Sequence, residues 1–175
     1  MNGFLGVNLI KNWVIWLTGH SGAGKSTLAK SLEEHFRSMN HRVIRLDSDT
    51  LPPSIIKPQA QTWQKKQHLK LENLVFLAKS FYQCETTVVI ACVGRFHKWR
   101  DQLREEIPDF LEVYLRCPLH VRLSRDLTGK YERNQEYFHF YEEPSRPDLI
   151  IDTDRLSPQE SLDLISSELY RRESP

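Results

Sequence analysis

The sequence predicts an α/β fold, a three-layer sandwich around a mostly parallel five-stranded sheet. Three observations carry that expectation. Five apolar runs alternate with helix-patterned segments along the 175 residues, the order that builds a parallel sheet with helices on both faces. A glycine-rich turn separates the first run from the first helical pattern. The length is that of one domain, enough to bury a core without disulfide or metal staples.

Each element has its own signal. Residues 13–17, rich in β-branched and aromatic side chains, read as the first strand, and residues 25–38 place Leu28, Leu32 and His35/Phe36 at helical spacing. The second strand, 42–46, runs into Asp47; Pro52, Pro53 and Pro58 then predict a loop. Residues 61–82 form a long helix with Leu71, Leu74, Val75, Ala78 and Phe81 on one face. Residues 86–93 are nearly all apolar, as a strand buried on both faces is. Residues 97–106 read as a helix stopping before Pro108, 110–117 as the fourth strand and 119–127 as a short helix. The polar, aromatic-rich stretch 129–145 has no clear period and reads as a loop or partly helical flap. Residues 149–151 make the fifth strand. Ser157, Pro158 and Glu160 then fit the N-cap, N1 and N3 positions of a last helix reaching about Arg171, with Leu162, Ile165 and Leu169 inward. The expected organisation is a single domain over 1–175, with 1–11 as an N-terminal extension and 128–146 as a lid-like segment.

Composition limits the partners. Lys plus Arg number 24 against 23 Asp plus Glu, a formal charge of +1, which excludes a chain basic overall in the manner of many nucleic-acid binders. No apolar run approaches the ~20 residues that span a bilayer. The N-terminal stretch lacks a basic region and carries Asn2 where myristoylation needs glycine, so neither a signal peptide nor that anchor is expected. Cys84, Cys92 and Cys117 form no CxxC pattern; an odd set of this kind predicts reduced thiols and a cytoplasmic location. Cys92 and Cys117 lie in or at the end of apolar runs and read as small buried hydrophobes.

The glycine-rich turn is the sharpest motif. Gly19-His20-Ser21-Gly22-Ala23-Gly24-Lys25-Ser26 fits GxxxxGK[ST], with a strand before it and a helix after it. Such a loop turns successive backbone N–H groups inward around phosphate, and the helix N-terminus adds its dipole. Lys25 is placed to reach the β- and γ-phosphates and Ser26 to ligate Mg²⁺. The pattern predicts a P-loop kinase-like fold binding ATP with Mg²⁺. No GxGxxG is present, which excludes a dinucleotide-binding reading, and no NKxD-type motif marks a GTPase. Asp47 and Asp49, at i and i+2 after the second strand, supply one carboxylate for Mg²⁺ or its water and one to accept a proton from an attacking hydroxyl. Small size, an early P-loop and this acid pair point to a kinase of a small molecule or nucleotide.

Several stretches resemble the adenylylsulfate kinase (APS kinase) family across roughly 12–170. They are Trp13-Val14-Ile15-Trp16-Leu17-Thr18-Gly19 leading into the P-loop, Leu46-Asp47-Ser48-Asp49, Ala78-Lys79-Ser80-Phe81, and Glu112-Val113-Tyr114-Leu115-Arg116-Cys117-Pro118-Leu119. Arg125-Asp126, Pro147-Asp148-Leu149-Ile150-Ile151-Asp152-Thr153 and Leu156-Ser157-Pro158-Gln159-Glu160-Ser161 complete the set. The family transfers the γ-phosphoryl of ATP to the 3′-hydroxyl of adenosine 5′-phosphosulfate (APS). The resemblance implies that Gly19 through Ser26, with Thr27, hold ATP. It further implies that Asp47 acts near Mg²⁺, that Asp49 orients or deprotonates the acceptor, and that Arg125 lies near the nucleotide. Family members are often dimers, so a homodimer is implied by analogy.

The departures cluster at the acceptor. Where the family has Asn and Arg after the acid pair, Thr50, Leu51, Pro52 and Pro53 stand here; its Asn-Ile-Arg-Arg is Lys70-Leu71-Glu72-Asn73. Its Ile-Ser-Pro-Tyr-Arg is Val93-Gly94-Arg95-Phe96-His97, so the serine position is Gly94 and direct in-line transfer is expected. Replacement cations are Arg95, Arg100, Lys98, Lys65, Lys66 and Lys70. Arg95, Phe96 and Arg100 are the acceptor-binding candidates, Phe96 as a stacking surface. His20 is expected as a spacer within the loop, and Trp63 with the aromatics of 131–141 as residues that close over substrate or pack on their own domain. Three functions stay open: an APS kinase, the same machinery with another small anionic or nucleotide-like acceptor or a sugar alcohol, and a nucleotide-binding regulator without transfer.

Overall fold

The computed structural model describes residues 11–133 and 140–174. Five strands, β1 (Val14–Thr18), β2 (Val43–Asp47), β3 (Thr87–Ala91), β4 (Phe110–Arg116) and β5 (Leu149–Asp152), form one sheet in the order β2-β3-β1-β4-β5. Every pairing is parallel. The helices are α1 (Lys25–Ser38), α2 (Pro53–Ile56), α3 (Trp63–Gln83), α4 (His97–Glu106), α5 (Leu119–Ser124), α6 (Lys130–Arg133) and α7 (Pro158–Glu173). β1 is central and wholly buried, and its alternation divides the core. Ile15 and Leu17 join Leu28, Leu32 and Phe36 of α1 and Ile165 and Leu169 of α7 on one face. Val14 and Trp16 join Leu71, Leu74 and Ala78 of α3 and Trp99 and Leu103 of α4 on the other. The result is the three-layer α/β sandwich, and the sheet is parallel throughout.

Crossovers put the carboxyl ends of all strands on one edge, where open parallel sheets bind ligands. The phosphate loop, the acid turn after β2 and the loop after β3 therefore converge. Among the described residues no helix is long and apolar enough to cross a membrane.

Local differences from the sequence expectation have local causes. The proline-rich loop contains the turn α2, because Pro53 sits in its first turn, where a missing N–H costs nothing. The amide of Lys57 closes that turn on the Pro53 carbonyl at 2.8 Å. Helix α5 stops at Ser124, three residues early. Asp126 then takes over the backbone, accepting from the amides of Thr128 at 3.3 Å and Tyr131 at 2.9 Å. The turn α6 makes the expected flap partly helical; residues 134–139 of the lid-like segment and the extension up to residue 10 lie outside the described residues. Helix α7 opens on the expected capping box, with Ser157 and Glu160 satisfying each other's backbone amides. Cys92 and Cys117 are buried and unbridged.

Candidate active site

The loop from β1 to α1 is shaped by its glycines. Gly19 adopts φ 138°, and a Cβ there would come within 2.5 Å of the Leu115 carbonyl oxygen on β4. Helix α1 begins at Lys25 behind Gly24, with no side chain capping it and no acidic residue in its first turn. Its first N–H groups and dipole are thus left for an anion. Lys25 is buried and folds back, donating from Nζ to the carbonyls of Gly19 at 2.9 Å and His20 at 2.7 Å. Burial lowers its pKa from 10.5 to about 8, against the raising effect of Asp49 and Asp47. The rear of the loop is braced by Tyr131, whose hydroxyl donates to the Ser21 carbonyl at 2.6 Å and accepts from Arg122 at 2.7 Å.

Ser21, Gly22, Gly24, Lys25, Ser26 and Thr27 line a cavity of about 490 Å³. Ala23 turns its methyl into the core and spends its N–H on the His20 carbonyl. The His20 ring packs against Tyr141, with ring centres 4.8 Å apart. Arg125 borders the same cavity, with Nη2 bonded to the Thr153 carbonyl at 2.7 Å.

The acid turn splits into two parts. Asp47 is 1% exposed, accepts from Arg45 Nη1 at 3.0 Å and from the Asp49 amide at 2.9 Å, and lines neither cavity. The Ser48 amide donates to the Ala91 carbonyl at 3.0 Å, which stitches the turn to the end of β3. Asp49, held by those bonds, borders the phosphate cavity. It also borders a second cavity of about 320 Å³. Ser48, Ser21, Val93 and Lys130 belong to both walls as well. Among the described residues no group of three or more His, Cys, Asp or Glu could cage a metal. Ser26 on the phosphate cavity suits Mg²⁺ carried in with ATP, because that ion needs only one or two protein oxygens beside the phosphates, whereas Asp47, expected beside the ion, is turned onto Arg45 and lies off the cavity wall.

Beyond Asp49 the second cavity is lined by Lys57, Gln67, Lys70, Gly94, Arg95 and Trp99. Gly94 has φ 56°, and an added Cβ would lie 2.7 Å from Cζ2 of Trp16. The Trp16 indole, bonded to the Cys92 carbonyl at 3.0 Å, fills the place any larger residue would need. Arg95 borders the cavity and donates to the Phe140 carbonyl at 2.6 Å.

Two acceptor candidates are corrected. Arg100 is fully buried. It donates from Nε to Glu112 of β4 at 2.7 Å, from Nη2 to the Glu142 carbonyl at 2.7 Å and from Nη1 to the Gly94 carbonyl. It shapes the loop after β3 and does not face a ligand; its partner, twelve positions on, is invisible to a local reading. Phe96 packs against Trp99, Phe140 and Trp63 at centroid distances of 4.3, 5.2 and 5.8 Å and lines neither cavity. Trp99 takes the position at the wall instead. Lys65, Lys66 and Lys98 also stay off both walls, whereas Lys57, Gln67 and Lys130 reach them unanticipated, and Tyr131 of the expected aromatic stretch borders the phosphate cavity. For Lys57 the available signal was its place at the end of the proline segment after the acid pair.

With this geometry in hand, comparisons with known proteins point one way. The family model described as adenylylsulphate kinase matches residues 11–152. A probable adenylyl-sulfate kinase of Archaeoglobus fulgidus is 35% identical over 156 residues, covering 82% of this chain and 97% of its own. One of Pyrococcus abyssi is 31% identical over 164 residues, covering 89% and 94%. In fold, the chain is similar to the APS kinase of Mycobacterium tuberculosis solved with AMPPNP and APS, at TM-score 0.80 and 24% identity over 91% of this chain and 98% of that one. A gluconokinase from Sinorhizobium meliloti shares the fold at TM-score 0.66 and 21% identity, over 91% and 92%. A match to most of the chain, with relatives above 30% identity along nearly their full length, places this chain in the adenylylsulfate kinase family.

Proposed function

We propose that the protein transfers the γ-phosphoryl group of ATP to a hydroxyl of APS or a closely related anionic nucleotide conjugate. The observation that carries this reading is Asp49, which borders the phosphate cavity and the second cavity together. A carboxylate in a shared wall can accept the proton of an acceptor hydroxyl in one cavity as its oxygen attacks a phosphoryl group in the other.

ATP enters the cavity of the P-loop, its phosphates received by the backbone N–H groups ahead of α1. Lys25 exchanges the Gly19 and His20 carbonyls for phosphate oxygens. Mg²⁺ bound with ATP would neutralise phosphate charge and would be held by Ser26, while Asp47 anchors the acid turn from beneath and so positions Asp49. Arg125 flanks the nucleotide. The acceptor hydroxyl gives its proton to Asp49 while its oxygen bonds the γ-phosphorus. The bond from that phosphorus to the β-bridging oxygen breaks, and its electron pair leaves on ADP. Gly94 offers no hydroxyl to carry a phosphoryl group, so transfer is direct. The described start of the lid-like segment flanks the two cavities and contributes Thr128, Lys130 and Tyr131 to their walls. The enzyme works in the cytoplasm as a homodimer, which light scattering of the purified protein reads directly.

The changed cations around the second cavity favour a further reading, the same transfer to an acceptor other than APS. Incubation with labelled Mg-ATP and APS decides between them. Formation of labelled 3′-phospho-APS supports the first; labelling only of other nucleotide conjugates or sugar alcohols supports the second. Binding of ATP without transfer to any acceptor would leave a regulator.

A further inference from the structure

The second cavity has a pronounced charge asymmetry. Lys57, Lys70, Arg95 and Lys130 line it against the single carboxylate of Asp49. Two of these cations come from the helices that cover the cavity away from the P-loop. Lys57 follows the turn α2, and Lys70 lies on α3, one helical turn after Gln67, which shares the wall. Among the described residues neither lysine has an ion-pair partner, whereas Glu72, two positions on, turns to the opposite groove and pairs with His68 at 3.2 Å.

The placement of Lys57 is built in. Asn73 Nδ2 donates to the Ile55 carbonyl at 2.9 Å, latching α2 onto α3, and the Lys57 amide closes the turn on Pro53. A four-residue turn carrying three nearby prolines has little freedom to swing its lysine away.

We propose that Lys57 and Lys70 form the anion-binding end of the acceptor site, holding a phosphate or sulfate ester of the acceptor while its hydroxyl meets Asp49. The assignment rests on the phosphoryl-transfer reading above and specifies the acceptor class: an alcohol that carries a tetrahedral oxyanion. Ammonium groups act as compact charges without the fixed fork of a guanidinium. The pair therefore holds a phosphate or a sulfate ester alike. Asn73 is a positioning residue for Lys57.

The test measures transfer to APS at saturating ATP by the wild type, Lys57→Ala, Lys70→Ala, the double alanine variant, a double arginine variant, and Lys66→Ala as a control on the same helix. KM for APS rises about tenfold in each single alanine variant and about 100-fold in the double, as the loss of charge-assisted hydrogen bonds requires. The double arginine variant recovers most of that loss, kcat stays within about threefold, and Lys66→Ala matches the wild type. A double alanine variant whose KM stays within about threefold of wild type overturns the assignment. A wild-type protein that does not turn over APS contradicts the APS reading alone. Calorimetric binding of APS, adenosine 5′-monophosphate and adenosine to protein saturated with a non-hydrolysable ATP analogue then judges the lysines. Loss of about tenfold or more in affinity for either anion in the double alanine variant supports them. Unchanged affinity, or anions bound no better than adenosine by the wild type, overturns them.

Discussion

The two cavities that meet at Asp49 are made in different ways. The phosphate cavity takes Ser21, Gly22, Gly24, Lys25, Ser26 and Thr27 from one loop and the start of α1, and residues after β2, after β3 and between 125 and 131 complete its wall. The acceptor cavity is assembled from side chains of α2, α3, α4, the loop after β3 and the turn α6. One half is written in the adjacent residues of the GxxxxGK[ST] pattern, although Gly19 also leaves no room for a Cβ against Leu115 of β4. The other depends on a tertiary scaffold, above all on Arg100. A backbone-built site persists while the side chains around it change; a side-chain-built site can alter its ligand by a few substitutions.

Arg100→Ala strikes the acceptor half hardest. It removes one of the two arginine partners of Glu112, which is 2% exposed and keeps Arg104 at 3.1 Å, and releases the carbonyls of Gly94 and Glu142. Urea unfolding should show a loss of about 3 kcal/mol, the low end of the usual cost of breaking a buried pair, because Arg104 still faces Glu112. The phosphate half has a different weak point. Lys25→Ala should lower kcat/KM by about 10²–10³-fold, as loss of a positioned transition-state donor does, with fold and unfolding midpoint retained. Equal damage to stability from both variants would erase the distinction between a scaffold residue and a ligand residue.

Gly94→Ala is a finer probe. It imposes φ 56° on alanine and drives a methyl into Trp16, at a cost of about 1–3 kcal/mol. KM for the acceptor should rise while Kd for an ATP analogue holds, because the clash lies on the acceptor side of Asp49. The smallest effect comes from pH. Lys25 titrates near 8 in the free protein, below its ordinary 10.5. Between those values the unfolded chain holds a proton that the folded one has lost, so the stability of the free protein rises with pH across that window. ATP needs the charged ammonium, so its Kd, flat below pH 8, should climb toward a slope of about tenfold per pH unit above it. A flat Kd through pH 9.5 would show that the buried lysine does not set nucleotide affinity.

The same contrast explains what the sequence disclosed. The five strands, the start of α1 at Lys25 and the capping box at Ser157 were legible because each is written in adjacent residues. So were the phosphate loop and the acid pair, whose spacing alone brings Asp49 to the cavities. Arg95 and Lys70 were legible as candidates because they follow a strand end or face a long helix. Arg100 and Phe96 were misread, since only the packed structure reveals that Glu112 and the Trp63–Trp99–Phe140 cluster claim them. Lys57 and Lys130 were missed because both follow turns, α2 or the Asp126-capped bend, that no periodicity announces.

The claim that joins the two halves is that one carboxylate serves both cavities, and Asp49→Asn tests it most directly. The asparagine keeps the size and the backbone bond to Asp47 while removing the proton acceptor. Transfer should fall about 10²–10⁴-fold, the usual contribution of a positioned general base. Kd for an ATP analogue and for the acceptor, measured on the same preparation, should stay within about twofold. Transfer retained at the wild-type rate would contradict the account, as would loss of transfer caused wholly by failure to bind ATP.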